Sequence, residues 1–157
     1  MVDDSEFLQK VTVSIIEKIK VSLLLNFDII SAVNGEEGLN RFMQSPKEIK
    51  LILMDIQMPV MNGYESAIRI REYEQENKIE PPCYIVGLSG EESTNHDRRC
   101  RLSHMNESIT KPINRSQVEQ LLLTIFSSTH ANTAPIHRNS SQYNSNFNNY
   151  TQNAQNQ

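Results

Sequence analysis

The chain has 157 residues, 22% of them charged, a formal net charge of −4 and two cysteines. That length suits one domain of ordinary size plus a tail; the acidic balance argues against a general nucleic-acid binder, and two cysteines make no disulfide framework. No apolar run reaches the roughly 18–20 residues needed to span a bilayer, and the start lacks the basic and apolar regions of a signal peptide, so the segment reads as cytoplasmic.

Met1-Val2-Asp3-Asp4 reads as the last step of a strand followed by an acidic pair. Ser5 suits the N-cap of a helix in which Phe7, Val11, Ile15 and Ile19 recur at helical spacing. Phe27 to Ala32 reads as a second strand, Asn34-Gly35 as a turn, and Glu36 to Met43 as a short helix with Leu39, Phe42 and Met43 facing inward. Leu51-Ile52-Leu53-Met54 runs straight into Asp55, as in a strand buried on both faces of a parallel sheet. A helix over Tyr64 to Gln75 follows, then a polar connection closed by Pro81 and Pro82. Cys83 to Leu88 is the next apolar strand, ending at Ser89-Gly90. Glu92 to Leu102 is a very polar helix, and its His96, Cys100 and His104 are better explained as a solvated face than as metal ligands. Ser108 to Thr110 is a short strand ending at Lys111-Pro112. Ser116 with Glu119 forms a capping box for a last helix striped by Val118, Leu121, Leu122 and Ile125.

Strands alternating with helices predict a parallel sheet covered on both faces, with right-handed crossovers. The domain is expected over 1–129. In 131–157, twelve of 27 residues are Asn or Gln, so 130–157 is expected to be a disordered tail.

Asp3, Asp4, Asp55, Ser89 and Lys111 all stand just past strand ends, which a parallel sheet gathers on one edge. Three carboxylates close together repel and call for a cation, and hard oxygen ligands favour Mg²⁺. A carboxylate beside Mg²⁺, a lysine and a hydroxyl can attack a phosphoryl group, because the metal and lysine neutralise the equatorial oxygens in the transition state.

Val2-Asp3-Asp4, Met54-Asp55-Ile56-Gln57-Met58-Pro59-Val60-Met61-Asn62-Gly63, Leu88-Ser89 and Thr110-Lys111-Pro112 occur in the order and at roughly the spacing of the receiver domain of two-component response regulators, which the chain resembles from about Val2 to Ser127. The resemblance implies a doubly wound, flavodoxin-like five-stranded parallel sheet of order 2-1-3-4-5. It implies Asp55 as phosphoacceptor from a phosphohistidine donor, either a histidine kinase or a phosphotransfer protein. It further implies Mg²⁺ bound by Asp4, Asp55 and the backbone carbonyl of Gln57 with Asp3 in support, Ser89 and Lys111 on the phosphoryl oxygens, and a cis Lys111–Pro112 bond. Gln57 and Glu91 match two positions that tune the lifetime of the phosphoryl group. Such a domain is a stoichiometric acceptor, not an enzyme.

Two departures are visible. The family has an apolar run before the acidic pair, where Met1-Val2 stand alone here. The first strand is therefore expected to be truncated to a stub with a gap beside it. The chain reads as a piece of a longer protein, the C-terminal receiver of a hybrid histidine kinase, on the cytoplasmic side of any membrane anchor. Ser108 occupies the position, three residues before the lysine, that is usually aromatic. Both departures leave a second reading open: a phosphorylation-incompetent docking module. A phosphatase using an Asp nucleophile would want a second acid two residues on, where Gln57 stands.

Overall fold

The computed structural model describes residues 1–90 and 94–127. Three strands form a continuous parallel sheet: β1 (Leu51–Asp55), β2 (Tyr84–Ser89) and β3 (Glu107–Thr110), in that spatial order. Five helices surround it: α1 (Glu6–Ser22), α2 (Gly35–Gln44), α3 (Gly63–Glu76), α4 (Thr94–Leu102) and α5 (Arg115–Ser127). Val2 makes single parallel bridges to Ala32 on one side and to Met54 on the other. The lateral order is therefore Ala32, Val2, β1, β2, β3, which is the expected 2-1-3-4-5 arrangement with its first two members shortened to one residue each.

The expected strand over Phe27 to Ala32 reaches ladder pairing only at Ala32, because its neighbour is a one-residue stub. Parallel strands pair only through a partner's backbone, and Val2 offers one N–H and one C=O. They are used fully: Val2 N donates to the Leu53 carbonyl and Asp55 N to the Val2 carbonyl, both at 2.8 Å. Beyond the stub lies the anticipated gap, a cavity of about 640 Å³ lined by Ile16, Phe27, Ile29, Leu51, Leu53 and Phe126, among others.

Side chains alternate across the sheet, as strand geometry requires. Ile52, Met54 and Ile85 enter a core with Leu39, Phe42, Ala67 and Ile70 under α2 and α3. Leu53, Val86, Leu88 and Ile109 enter a second core with Ile16, Ile19, Val118, Leu121 and Leu122 under α1 and α5. Burial on both faces explains why β1 and β2 read as unbroken apolar runs.

Two local expectations are corrected. α1 does not turn Phe7 and Val11 inward; they are 73% and 43% exposed, and the buried face is Gln9, Thr12, Ile16 and Ile19. Steps of four residues overshoot a helical turn, so a stripe of three such steps drifts by about 120°. The capping box of α5 lies two residues earlier than Ser116 and Glu119. Asn114 Oδ1 accepts from Gln117 N, and Gln117 Oε1 accepts from Asn114 N, both at 3.0 Å. Lys111–Pro112 is cis as expected, and so is Glu80–Pro81. Glu91 and the 130–157 segment lie outside the described residues.

Candidate functional site

β1 delivers Asp55 to the carboxyl edge of the sheet, where it is 6% exposed. Asp3 arrives beside it from the stub and is fully buried, while Asp4 is exposed. Each of the three can present an oxygen within 4.8 Å of the other two. From the far side of the sheet, Lys111 reaches Asp3 Oδ2 at 2.8 Å and Asp55 Oδ2 at 2.9 Å. Its own position is set by a hydrogen bond from Lys111 N to the Ser89 carbonyl at 2.6 Å. Ser89 ends β2 and lines a polar cavity of about 420 Å³ together with Asp4 and Gln57. Asp3, Asp4, Asp55, Ser89, Lys111 and Gln57 thus converge at one edge.

The electrostatics are unbalanced. Burial, above all, raises the Asp55 carboxyl above the usual carboxylate range; the hydrogen bond and charge of Lys111 pull it back, and the charge of Asp3 pushes it up again. Burial pulls Lys111 down, but its bonds to Asp3 and Asp55 outweigh that, and the net shift is upward. Three carboxylates face one ammonium, a surplus of two negative charges when all are ionised. A divalent cation with oxygen ligands offsets that surplus, so the donor set fits a Mg²⁺-like ion.

The backbone around Asp55 is tightly constrained. Gly63 opens α3 and donates to the Ile56 carbonyl at 3.0 Å. A Cβ there would run into the Asp55 carbonyl oxygen, so only glycine allows this approach. Met61 N donates to the Pro59 carbonyl at 2.8 Å, which closes a γ-turn centred on Val60 at a φ of 69°. A β-branched residue there is strained, and such strain gathers at functional loops.

Some residues escaped the sequence reading. Gln9 is 8% exposed, and its amide donates to the backbone carbonyls of Asp3 at 2.6 Å and Ala32 at 2.7 Å. It holds the acidic pair in place from α1. The only signal in the sequence was its spacing with Thr12, Ile16 and Ile19. His96 and Cys100 are not a solvated face: they are 8% and 3% exposed. Tyr64 Oη lies 2.8 Å from His96 Nδ1, and Arg99 stacks over the Tyr64 ring at 4.2 Å. Burial pushes the Cys100 thiol up to about 11, away from the thiolate a metal would need. His104 lies beyond the end of α4, and its carbonyl accepts from Arg71. These three residues form no metal-ligand group among the described residues.

No helix among the described residues is long and apolar enough to cross a membrane. Residues 1–123 match the model of the response regulator receiver domain. The chain is 30% identical over 136 residues to the osmolarity two-component system protein SSK1 of Saccharomyces cerevisiae, covering 73% of this chain and 18% of that protein. It is 34% identical over 122 residues to hybrid signal transduction histidine kinase K of Dictyostelium discoideum, covering 76% and 9%. The chain therefore spans less than a fifth of these relatives' length. Among solved structures it is similar to the Ssk1 receiver domain co-crystallised with the histidine phosphotransfer protein Ypd1 of Saccharomyces cerevisiae. That match has a TM-score of 0.72 and 28% identity, and covers 83% of this chain and 89% of that one. A chemotaxis protein CheY4 of Vibrio cholerae shares the fold at a TM-score of 0.64 and 21% identity, covering 79% of this chain and 93% of that one.

Proposed function

The chain belongs to the response regulator receiver family, and from that premise we propose that Asp55 accepts a phosphoryl group from a phosphohistidine, with Mg²⁺ held by Asp4, Asp55 and the Gln57 carbonyl and supported by Asp3. The observation that carries this reading is the convergence of a buried, strand-end carboxylate with one lysine and two further acids. Asp55 Oδ2 is engaged by Lys111, whereas Oδ1 is held only by a 3.3 Å contact from Gln57 N. Oδ1 is thus the oxygen with lone pairs to spare. It forms the O–P bond as the N–P bond of the phosphohistidine breaks and the electron pair returns to the imidazole. Lys111 and the Ser89 hydroxyl receive the phosphoryl oxygens, and α3 at Gly63 keeps the Asp55 backbone from yielding. When bound, the metal neutralises charge that develops on those oxygens. The chain acts as a stoichiometric acceptor, and its donor is a histidine kinase or a phosphotransfer protein of the kind named with the Ssk1 receiver. The domain is read as 1–129.

Incubation with Mg²⁺ and acetyl phosphate, followed by intact-mass measurement, should show one phosphoryl adduct that is lost in Asp55→Asn. A folded protein without an adduct, or an adduct that persists in Asp55→Asn, would sink the reading. One observation favours a second reading, a docking module that does not use phosphorylation. Ser108 stands in place of the aromatic, and its hydroxyl donates to Asp97 Oδ1 at 2.6 Å, tying β3 to α4 without a ring that could swing. That reading expects no saturable change in tyrosine fluorescence on Mg²⁺ titration.

A further inference from the structure

The polar cavity beside Ser89 has a second wall that the phosphoacceptor reading leaves unused. It is lined by Asp4, Gln57 and Ser89 from the acidic rim, and by Asn62 at the N-cap of α3, Tyr64 of α3, and His96 and Arg99 of α4, among others. Arg99 is the one lysine or arginine in that lining. Among the described residues, Lys111 does not line this cavity and is ion-paired with Asp3 and Asp55. Arg99 forms no ion pair among the described residues. It is nevertheless held. Its guanidinium lies over the Tyr64 ring, and the Tyr64 hydroxyl is fixed at 2.8 Å by His96, three residues before Arg99 on the same face of α4. Tyr64 and His96 are 9% and 8% exposed, so the platform under Arg99 is part of the core.

A cavity that admits a phosphodonor must take in a dianion past Asp4, which repels it. The Arg99 guanidinium, exposed and seated over Tyr64 in the same lining, compensates, and its effect grows with the charge of the donor. We propose that Arg99 is a specificity-determining residue for the phosphodonor, favouring donors of net charge −2, such as acyl phosphates, over donors of net charge −1. The proposal rests on Asp55 being the phosphoacceptor. With acetyl phosphate, an Asp55 oxygen bonds to phosphorus, the bond from phosphorus to the acyl oxygen breaks, and acetate leaves with the electron pair. With phosphoramidate at about pH 7, a net monoanion, the P–N bond breaks and ammonia leaves from the protonated nitrogen. The acceptor chemistry is the same; the charge of the donor differs by one.

The test compares initial phosphorylation rates with the two donors, in Mg²⁺ and by intact mass, for the wild-type chain, Arg99→Gln, Arg99→Lys and Arg101→Gln. Arg101 is an exposed cation on the same helix that does not line the cavity. If one donor charge near Arg99 is worth about threefold, the loss for the dianion is the square of the loss for the monoanion. Arg99→Gln should then slow acetyl phosphate about ninefold and phosphoramidate about threefold, and the wild-type acetyl phosphate rate should fall with salt more steeply than that of the variant. Arg99→Lys should keep most of the donor ratio, and Arg101→Gln should keep all of it. Equal slowing of both donors, or the same ratio change from Arg101→Gln, would assign Arg99 a structural role and overturn the proposal. If the wild-type chain takes phosphate from neither donor, the phosphoacceptor reading falls as well, so the two failures are distinguishable.

Discussion

The two ends of the sheet each bury a carboxylate beside a cation, and they use it differently. At the amino ends of β2 and β3, Arg71 donates to Glu74 at 2.6 Å, to the Cys83 carbonyl at 2.9 Å, to the His104 carbonyl at 3.0 Å and to Asn106 at 2.8 Å. Glu74 returns its other oxygen to Cys83 N at 2.7 Å. The charges cancel, and each Glu74 oxygen accepts a hydrogen bond. At the carboxyl ends, Lys111 faces three acids, Asp4 is in no ion pair among the described residues, and one oxygen of Asp55 is barely held. This closed circuit ties α3 to the starts of two strands. A surplus of like charge costs stability and is kept where a ligand will complete it. Burial alone would have flagged both ends; the charge balance separates them.

Each cluster loses its balance with one substitution. Arg71→Met leaves Glu74, 4% exposed, without its counter-charge, and should cost about 3–5 kcal/mol in chemical denaturation, with no recovery on adding Mg²⁺. Lys111→Met strands Asp3 and Asp55 in the same way. It should cost somewhat less, roughly 2–4 kcal/mol, because burial already raises the Asp55 carboxyl and it can take up a proton when the lysine is gone. Here millimolar Mg²⁺ should restore most of the loss, since one cation replaces another. Equal behaviour of the two variants in Mg²⁺ would mean that the carboxyl-end rim has no special need of a cation.

Asp55→Asn sharpens the contrast. Burial makes the Asp55 carboxylate unfavourable in the fold, so the metal-free variant should match or exceed the wild type in thermal melts, by up to roughly 0.5–1 kcal/mol. A clear loss would mean that the rim is as closed as the other end. The smallest effect concerns pH. The folded-state pKa of Lys111 is raised above 10.5. Its contribution is therefore complete below the unfolded value and is lost as pH rises through the folded one. Wild type minus Lys111→Met stability, measured in metal-free buffer, should shrink above about pH 10.5 and stay flat between pH 7 and 9.

What could be read from the residues was set by backbone geometry. Leu51 to Asp55 and Cys83 to Ser89 are apolar on both faces, so they had to be interior parallel strands, and their last polar residues had to share an edge. That logic found Asp55, Ser89 and Lys111, and the acidic pair after Val2. It could not find Gln9, because a buried amide is recognised by the carbonyls it bonds, here those of Asp3 and Ala32, and these come from different turns of the chain. It misjudged His96 for the same reason: its partner Tyr64 sits 32 residues away on another helix. Helix faces were legible only to within a third of a turn. Phe7 continued a four-residue repeat, but the repeat drifted off the core before reaching it. The cap at Asn114 was missed because two overlapping signatures, Asn-x-x-Gln and Ser-x-x-Glu, compete within six residues.

The Val2 bridge has a consequence for how the molecule breathes. Through Met1, Val2 and Asp3, a run of four backbone bonds closes the seam between Ala32 and β1. The same three residues carry the first acid of the rim. Whatever opens that seam therefore displaces Asp3 and Asp4, and whatever grips Asp3 and Asp4 must resist its opening by the same free energy. Amide exchange at Val2, Ala32 and Asp55 is thus a remote gauge of rim occupancy. The amides of the Arg71 circuit, closed on itself at the other end of the strands, should keep their protection unchanged.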